Sequence, residues 1–361
     1  MVIGRETADQ LSTLFLSDGS QPATEVLDRL VSYISVASTS LEIAIYDLNL
    51  TDLLASGLRA ALQERVAAGV AIRLVYNGPR APNPRYPPPP RSDPGQVEGL
   101  GVPCRSIPGV PDLMHHKYVI RDRSAVWTGS TNWTTDSWTR EENLIVVVPS
   151  DGLAADYSRN FEELWQKGSV EASGHFDGQW ATTAVAGQQV KCRAIFSPGR
   201  GRAMAHLYAS RIGQARRRLR ICSPVLTSGP VLASLAEIPS SVDSRVVYDQ
   251  TQMDHVLSQW GAEERSAWKT PIFEAARSRL RCASKRSTPY AEGSVHDYMH
   301  AKFMVADDIV LTGSFNISHS GEMNAENVVE IDSADLADQL TEFADGLFAR
   351  YGEAANAPAT T

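Results

Sequence analysis

Two copies of one residue pattern constrain this chain of 361 residues more than any other feature of its sequence. Each copy reads His-x-Lys-x4-Asp, followed by Gly-Ser-x-Asn and then by Glu-Asn. The first copy consists of His115, Lys117, Asp122, Ser130, Asn132 and Glu142, and the second of His300, Lys302, Asp307, Ser314, Asn316 and Glu326. The copies are offset by 185 residues at the His and by 184 at the Asn, and the step from Asn to Glu is ten residues in both. This near-constant register indicates an internal duplication, which fixes the architecture before local propensities are considered.

The segments that precede each copy alternate between helix and strand patterns. In the first half, residues 22–40 and 53–68 have helical periodicity, whereas residues 41–46 and 70–76 are typical of strands. A strand, a helix and a strand in this order favour a right-handed parallel crossover. The order returns in the second half at residues 205–215, 219–222, 228–236 and 245–248. The sequence therefore predicts an α/β fold with two pseudo-symmetric α/β/α halves, each a mostly parallel mixed sheet flanked by helices.

Local composition predicts where the halves meet. Residues 167–190 are rich in Gly, Ser, Thr and Ala, which is typical of a linker. We therefore assign residues 1–170 to the first half, 171–190 to the linker and 191–361 to the second half. Residues 77–101 contain eight prolines and are predicted to form an extended surface loop, because proline lacks the donor that helices and inner strands need. This loop is either a stiff spacer or partner ligand, or a rim of the site that follows it.

Bulk composition narrows the class of protein. No run of eighteen apolar residues is present, so we expect no transmembrane segment. Glu6 and Asp9 stand where the apolar core of a signal peptide would lie, which favours a cytoplasmic protein. The four cysteines are far apart and are expected to be buried thiols in a reducing compartment. The net charge of −8 argues against nucleic-acid binding over the whole surface, although a basic cleft remains compatible with it.

The most basic stretch of the chain is Arg216–Arg218, with Arg211 and Arg220 close by. Charge runs of this kind usually form a solvated helix end. The alternative is that these guanidinium groups contact a phosphate backbone, and the sequence leaves both interpretations open.

The duplicated pattern resembles the paired His-Lys-Asp motifs of the phospholipase D superfamily. The resemblance rests on the twelve residues of the two copies and covers the chain from about residue 30 to about residue 351. It implies the phospholipase D fold and phosphodiester chemistry. It does not name the substrate, because the superfamily includes phospholipases, nucleases, phospholipid synthases and nucleic-acid repair diesterases.

Phosphodiester cleavage explains why two histidines are needed. A neutral imidazole can attack phosphorus and form a covalent phosphohistidine, while a second, protonated imidazole donates a proton to the leaving oxygen. We therefore predict one shared cleft that receives His115 and His300, so that a monomer holds a complete site. By resemblance to relatives with two motifs, we expect His115 to be the nucleophile and His300 the general acid, but the sequence alone does not distinguish this assignment from the reverse one.

The remaining motif residues have supporting roles in this hypothesis. Lys117 and Lys302 hold the non-bridging phosphate oxygens as fixed cations, and Asn132 and Asn316 donate hydrogen bonds to them, with Ser130 and Ser314 shaping the phosphate site. By resemblance, Glu142 and Glu326 accept a hydrogen bond from the inner nitrogen of each histidine, and Asp122 and Asp307 are structural. No metal or other cofactor is expected, because no ligand cluster such as H-x-x-E-H is present.

The substrate is the least determined part of the prediction. The spacing of the first copy resembles that of small bacterial nucleases, and we therefore favour nucleic acid, either DNA or RNA, as the partner. The alternative is a phospholipase D that hydrolyses or transfers phosphatidyl groups, for which the proline-rich loop or the region from Trp260 to Trp268 could enter a bilayer surface.

Overall fold

A computed structural model of the chain describes residues 10–78, 92–108, 112–291 and 293–352. The described residues form two large mixed sheets, each covered on its outer side by helices of its own half. Two further helices, one from each half, lie between the sheets. The molecule is therefore built from alternating helical and sheet layers, and the two halves share the central one.

The first half begins with a strand that the sequence analysis did not predict. Its strands are β1 Ser12–Leu16, β2 Ser40–Ile45, β3 Leu48–Asn49, β4 Ala71–Asn77, β5 Cys104–Ile107, β6 Lys117–Arg121, β7 Ala125–Gly129, β8 Trp133–Thr134 and β9 Asn143–Pro149. Its helices are α1 Ala23–Ser35, α2 Asp52–Ala67, α3 Pro94–Gly99, α4 Thr135–Thr139 and α5 Asp151–Lys167.

The second half repeats this order and adds a hairpin and extra helices. Its strands are β10 Ala181–Val185, β11 Gln188–Phe196, β12 Arg218–Ser223, β13 Asp243–Asp249, β14 Arg281–Lys285, β15 Phe303–Ala306, β16 Ile309–Gly313 and β17 Asn327–Asp332. Its helices are α6 Gly201–Gln214, α7 Gly229–Ala236, α8 Gln250–Ala262, α9 Glu264–Ala267, α10 Lys269–Arg279, α11 His319–Met323 and α12 Ala334–Gly352.

The two sheets have matching strand orders. The first runs β1-β9-β7-β6-β2-β4-β5, and the second runs β10-β11-β17-β16-β15-β12-β13-β14. The predicted α/β class and the two similar halves are confirmed, but the expected excess of parallel pairs is wrong. Only β2-β4-β5 and β12-β13-β14 pair in parallel among the described strands of these sheets, and the other neighbours are antiparallel. The reason is that both motif strands turn back through tight hairpins instead of crossing over a helix.

The central layer holds the halves together through an apolar core. Helix α5 presents Leu153, Tyr157, Phe161 and Leu164 at helical spacing, and all four are buried. They pack in one cluster with residues of α12 and of both sheets, including Phe196 of β11. At the start of α5, the Ser150 hydroxyl caps the helix by accepting a hydrogen bond from Leu153 N. The helix ends at Gly168, whose backbone has the left-handed conformation.

The two segments with unusual composition are partly structured. The predicted linker at residues 171–190 contains β10 and the first residues of β11, which form an antiparallel hairpin at the edge of the second sheet. Most of the proline-rich stretch lies outside the described residues, but its end forms α3, contrary to the expected loop. The Asp93 carboxylate accepts a hydrogen bond from Gly95 N there, and Pro94 occupies the first turn. In the part of the chain that the structure describes, no helix is long and apolar enough to cross a bilayer.

Both motif aspartates sit at the hairpin turns that end the motif strands. Asp122 and Asp307 have positive φ angles of 53° and 55°. The Asp122 carboxylate accepts hydrogen bonds from three consecutive backbone N–H groups at the start of β2, those of residues 38–40. Asp307 binds the N–H groups of residues 216–218 before β12 in the same way. Each aspartate therefore ties its motif strand to the neighbouring strand, remote from the cavity described below.

We expect Asp122→Asn to lower stability, because it removes a charged acceptor at a backbone conformation that Asn also tolerates. Burial opposes ionisation of Asp122, but the three N–H donors outweigh it and lower its pKa to about 2. The stabilisation is therefore complete above the unfolded pKa near 3.9 and is lost as the pH falls through about 2.

Thermal unfolding at a series of pH values measures this effect. Asp122→Asn should lose about 1 kcal/mol at pH 6, since solvent screens part of the interaction. The difference from the parent should shrink between about pH 4 and pH 2. Asp28→Asn, at an exposed position on α1, is the matched control and should have no effect. A loss for Asp122→Asn that is independent of pH would contradict the role of the charge.

Candidate active site

Backbone hydrogen bonds between the halves bring the two motifs together. His115 N donates to Ala325 O at 2.9 Å, and His300 N donates to Glu142 O at 3.1 Å. The segment before each motif strand thus forms a short parallel bridge with the segment before β9 or β17 of the other half. Neither histidine is positioned by its own half alone.

The glycines of the two Gly-Ser-x-Asn segments allow a close approach of backbone. Gly129 and Gly313 have φ angles of 152° and 155°, and a Cβ atom at either would lie within about 2.2 Å of a carbonyl oxygen on β9 or β17. Only glycine fits there, because both the conformation and the distance exclude a side chain. The close approach of the backbone at each glycine therefore gives Asn132 and Asn316, which lie three residues further on, equivalent positions in the two halves.

Both histidines open into one cavity of about 490 Å³. His115, Asn132 and Tyr46 line it from the first half, together with Glu141. The second half contributes His300, Asn316 and a longer wall formed by the residues after β12, by α8 and by the segment before β15. The members of that wall are Pro224, Val225, Thr251, Gln252, His255, Val256, Ser287, Thr288, Pro289, Tyr290, His296 and Tyr298. The paired motifs therefore share a single cavity whose walls are unequal.

His115 has one carboxylate partner, from the opposite half. Its Nδ1 lies 2.8 Å from Glu326 Oε2, and its ring contacts Tyr46 at a centroid distance of 4.6 Å. An acceptor on Nδ1 fixes the proton there and leaves Nε2 as the free ring nitrogen. Glu326 therefore orients His115 as the sequence analysis expected of one of the two glutamates.

His300 is held by a different pair of residues. Its Nδ1 lies 3.2 Å from Asn143 Oδ1 and 3.2 Å from Glu141 Oε2. The Glu141 carboxylate also accepts hydrogen bonds from the Ser137 hydroxyl at 2.6 Å and from Asn143 Nδ2 at 3.0 Å. The Asn143 amide and the Glu141 carboxylate therefore orient His300 together, as Glu326 orients His115.

The predicted role of Glu142 is wrong, because its side chain points away from both histidines. It is buried, and its Oε1 accepts hydrogen bonds from the Tyr351 hydroxyl, from Asp18 N at 3.3 Å and from Lys285 Nζ at 3.4 Å. The cause is a shift of register. Ser130 N binds Leu144 O, whereas Ser314 N binds Asn327 O, so the strands correspond at an offset of 183 residues.

One extra residue in the first half therefore separates the Asn from the next strand. Glu142 corresponds in space to Ala325, and Asn143 corresponds to Glu326. Since side chains alternate along a strand, a slip of one residue moves a side chain to the opposite face. The halves carry the same two residue types on the facing side in exchanged order, Glu141-x-Asn143 in the first and Asn324-x-Glu326 in the second.

The motif serines belong to this arrangement and do not line the cavity. The Ser130 hydroxyl donates to Asn143 Oδ1 at 2.6 Å, and the Ser314 hydroxyl accepts from Asn327 N at 3.0 Å. The predicted contact of the serines with phosphate is therefore replaced by contacts with Asn143, which binds His300, and with Asn327, which follows Glu326.

Both motif lysines are buried beside the histidines. Lys117 Nζ donates to His115 O, and Lys302 Nζ donates to His300 O, each at 2.7 Å. Burial lowers the pKa of Lys117 to about 7 against the opposing charge of Glu326. Each lysine keeps two further donor positions for an anion that enters the site.

The surroundings of His115 and His300 favour neutral imidazoles. Burial, followed by the charges of Lys117 and Lys302, lowers the pKa of both His115 and His300 well below its usual range. Burial also raises the pKa of the Glu326 carboxyl to about 8, whereas the charges of Lys117 and Lys302 favour the ionised carboxylate that accepts the proton of His115 Nδ1. An anion bound between the lysines would offset their charge and raise the affinity of the histidines for a proton.

Two cavity residues, Glu141 and Tyr298, are marked by no motif in the sequence. Asn143 belongs to the Glu-Asn segment, but only the register of the strands shows that Asn143 and Glu141, and not Glu142, contact His300. Tyr298 precedes the second motif histidine by two residues, as Leu113 precedes the first. His296 lines the cavity, whereas His116 is buried in the core beside Tyr118.

We predict that the adjacent glutamates respond differently to removal of their charge. Glu141→Gln should lower kcat by roughly 100-fold and change the pH profile, because His300 loses the carboxylate that supports its protonated form. Glu142→Gln should stay within about threefold of the parent, with a lower melting temperature from weakened contacts to Lys285 and Tyr351. Rates from pH 5 to 9 on one diester test this pair, and equal losses in both variants would contradict the assignment.

Comparison with known proteins identifies the family. The family described as "Cardiolipin synthase, PLD-like domain" matches residues 30–165 and 208–347, which include both motifs. The mitochondrial cardiolipin hydrolase of Xenopus laevis is 26% identical over 139 residues, or 38% of this chain and 60% of that protein. The Drosophila melanogaster protein of the same name is 29% identical over 163 residues, or 38% of this chain and 58% of that protein. The alignments thus span about 60% of these relatives' length.

A solved structure resembles the chain over nearly its whole length. The phosphatidylserine synthase of Haemophilus influenzae Rd KW20 has a TM-score of 0.62 with 14% sequence identity, and the alignment covers 93% of this chain and 86% of that one. This likeness concerns the fold. With the family match over both halves and the duplicated motif, it shows that the chain belongs to the phospholipase D superfamily.

Proposed function

We propose that this protein cleaves phospholipids at the phosphodiester bond to the headgroup, in the cavity between its halves. The observation that carries the proposal is the composition of the cavity wall. Pro224, Val225, Val256, Pro289 and several aromatic rings line it, and among its described lining residues none is an arginine or a lysine. A groove that follows a nucleic-acid backbone needs a track of such cations, whereas one lipid phosphate needs only the two buried lysines.

The most basic stretch of the chain supports the same choice. Arg217 and Arg218 form ion pairs with Asp308, and Arg218 also pairs with Asp338. Arg220 pairs with Asp243 and Asp345. These guanidinium groups are used to bind the protein's own carboxylates, so they do not form a cationic path toward a polyanion.

The names of the similar proteins agree with a lipid substrate. The curated relatives from Xenopus laevis and Drosophila melanogaster are mitochondrial cardiolipin hydrolases, and one similar solved structure is a phosphatidylserine synthase. The spacing of the first motif copy predicts a nucleic-acid substrate, whereas the cavity wall and these relatives support the phospholipid alternative.

The chemistry proceeds in two displacement steps at phosphorus. In the first, Nε2 of His115 forms a bond to phosphorus, the bond to the headgroup oxygen breaks, and His300 gives that oxygen a proton. In the second, His300 takes a proton from water, whose oxygen forms a bond to phosphorus as the bond to His115 breaks. Lys117 and Lys302 balance the charge on the non-bridging oxygens, so the reaction requires no metal ion.

Protonation of the general acid follows from substrate binding in this scheme. Burial, together with the charges of Lys117 and Lys302, lowers the pKa of both histidines and favours their neutral forms. The phosphate anion offsets these charges and allows one imidazole to hold a proton. Glu141 then stabilises the imidazolium of His300, while Glu326 holds His115 with Nε2 free for attack.

Three exposed apolar side chains of the second half belong to the cleft beside the catalytic cavity or adjoin residues that line either of the two. Trp268 lines a cleft of about 720 Å³ that shares Val256 with the catalytic cavity. Met323 and Val295 are also exposed, and each adjoins a residue that lines the cleft or the cavity. Tryptophan at such a position is typical of proteins that contact the interfacial region of a bilayer.

A panel of substrates tests the proposed function. The protein in excess EDTA is assayed side by side on phosphatidylglycerol vesicles, single-stranded DNA, duplex DNA, RNA and bis-p-nitrophenyl phosphate. We expect cleavage of the lipid and of the activated diester, and loss of both in His115→Ala. Cleavage of nucleic acid without lipid cleavage would overturn the proposal, and a complete dependence on added metal would overturn its mechanism.

We also predict that Trp268 matters only at a lipid surface. Trp268→Ala should reduce the rate on vesicles about tenfold, because the anchor at the rim is lost, and leave the rate on monomeric short-chain lipid unchanged. Trp180→Ala is a matched control, since Trp180 is 49% exposed and Trp268 is 51% exposed, but Trp180 lies by the β10 hairpin. Equal effects of the two variants on vesicles would exclude Trp268 as an anchor.

A further inference from the structure

The hydroxyl of Tyr298 is a buried polar group in the cavity that the chemistry above does not use. Tyr298 is only 8% exposed, and its hydroxyl has no hydrogen-bond partner within the described protein. It lines the cavity together with His300, which follows two residues later. A buried hydroxyl without a partner is costly, so an unpaired one in a binding cavity points to a ligand group that pairs with it.

The backbone and the ring of Tyr298 are held firmly. Its carbonyl accepts a hydrogen bond from Glu142 N at 3.1 Å, in the bridge between the halves. Its ring stacks on His296 at a centroid distance of 5.3 Å and an interplanar angle of 27°. The hydroxyl is therefore presented at a defined place, which is a requirement for recognition of a small polar group.

The cavity wall next to Tyr298 is held in place by two aspartates whose carboxylates bind other residues of the protein. Asp249 accepts hydrogen bonds from the Ser287 hydroxyl at 2.8 Å and from Met299 N at 3.0 Å. Asp297 accepts from Thr288 N at 2.7 Å and from the Thr288 hydroxyl at 3.0 Å. Both aspartates are used to hold the segment, and neither lines the cavity.

The cavity next to Tyr298 offers no free carboxylate for a cationic headgroup. Glu141 is the only carboxylate among the described lining residues, and it already contacts Ser137, Asn143 and His300. An ammonium group would therefore lose its water without gaining an anion. A neutral, hydroxylated group would find a partner in the tyrosine hydroxyl.

The position of Tyr298 also breaks the symmetry of the site. The corresponding residue of the first half is Leu113, so only the side of His300 carries this hydroxyl. His300 gives its proton to the leaving alcohol, which places the headgroup on that side.

We propose that Tyr298 binds a hydroxyl group of the headgroup alcohol, so that the cavity selects phospholipids with an uncharged polyol headgroup such as glycerol. This inference rests on the proposed function. It goes further by naming the class of headgroup and the residue that recognises it.

Replacement of Tyr298 by Phe removes only the hydroxyl and leaves the ring that stacks on His296. The substrates are phosphatidylglycerol and phosphatidylmethanol in the same mixed micelles, since they share the phosphodiester and differ in the hydroxyl groups of the headgroup. We expect Tyr298→Phe to lose about tenfold in kcat/KM on phosphatidylglycerol and to remain within about twofold on phosphatidylmethanol. Tyr248→Phe, at a buried tyrosine outside the cavity, should leave both rates unchanged.

The outcomes separate the two proposals. If the parent protein cleaves both lipids and Tyr298→Phe lowers both rates equally, or lowers neither, recognition of a hydroxyl by Tyr298 is excluded while phospholipid cleavage stands. If the parent protein cleaves neither lipid but remains active on bis-p-nitrophenyl phosphate, the proposed function fails and this inference fails with it. Thermal unfolding of each variant shows whether a lost rate comes from a lost fold.

Discussion

The active site depends on a few backbone hydrogen bonds that cross between the halves. His115 N binds the carbonyl of Ala325, and His300 N binds the carbonyl of Glu142. Buried backbone N–H and C=O groups must be paired, so these bonds fix the contact between the halves as strictly as hydrogen bonds fix neighbouring strands in a sheet. These bonds also position the neighbouring side chains, so that Glu326 contacts His115 and Glu141 contacts His300. The central layer of α5 and α12 keeps the sheets at the separation that these bonds require.

Much of the fold follows from local patterns, and the exceptions have physical causes. The helix α2 and the strand β4 lie within one residue of the predicted ranges 53–68 and 70–76, because apolar periodicity marks both. Strand β1 was missed because it is short and only its last residue is fully buried. The helices between β13 and β14 were missed because only two residues of α8 are buried, and an exposed helix lacks a strong apolar stripe.

The sequence predicts the chemistry of the candidate site but not every residue that forms it. The histidines, lysines and asparagines come from a repeat in which spacing along each strand is rigid. Glu142 was chosen because ten residues separate Asn from Glu in both copies, yet the loop between the Asn and the following strand is one residue longer in the first half. That length difference is visible only when the strands are paired, and it transfers the role to Glu141 and Asn143. Tyr298 had no motif to mark it, since only its burial beside His300 reveals it.

The exchanged order of Glu and Asn in the two halves gives the site a direction. Two identical histidine environments would let a phosphodiester bind in either of two orientations related by the symmetry of the repeat, with equal energy. A carboxylate at 2.8 Å on one imidazole and a shared amide and carboxylate at 3.2 Å on the other make these orientations unequal. A duplicated gene can therefore acquire what two copies of one identical subunit cannot, because each half is free to specialise for one end of the same bond.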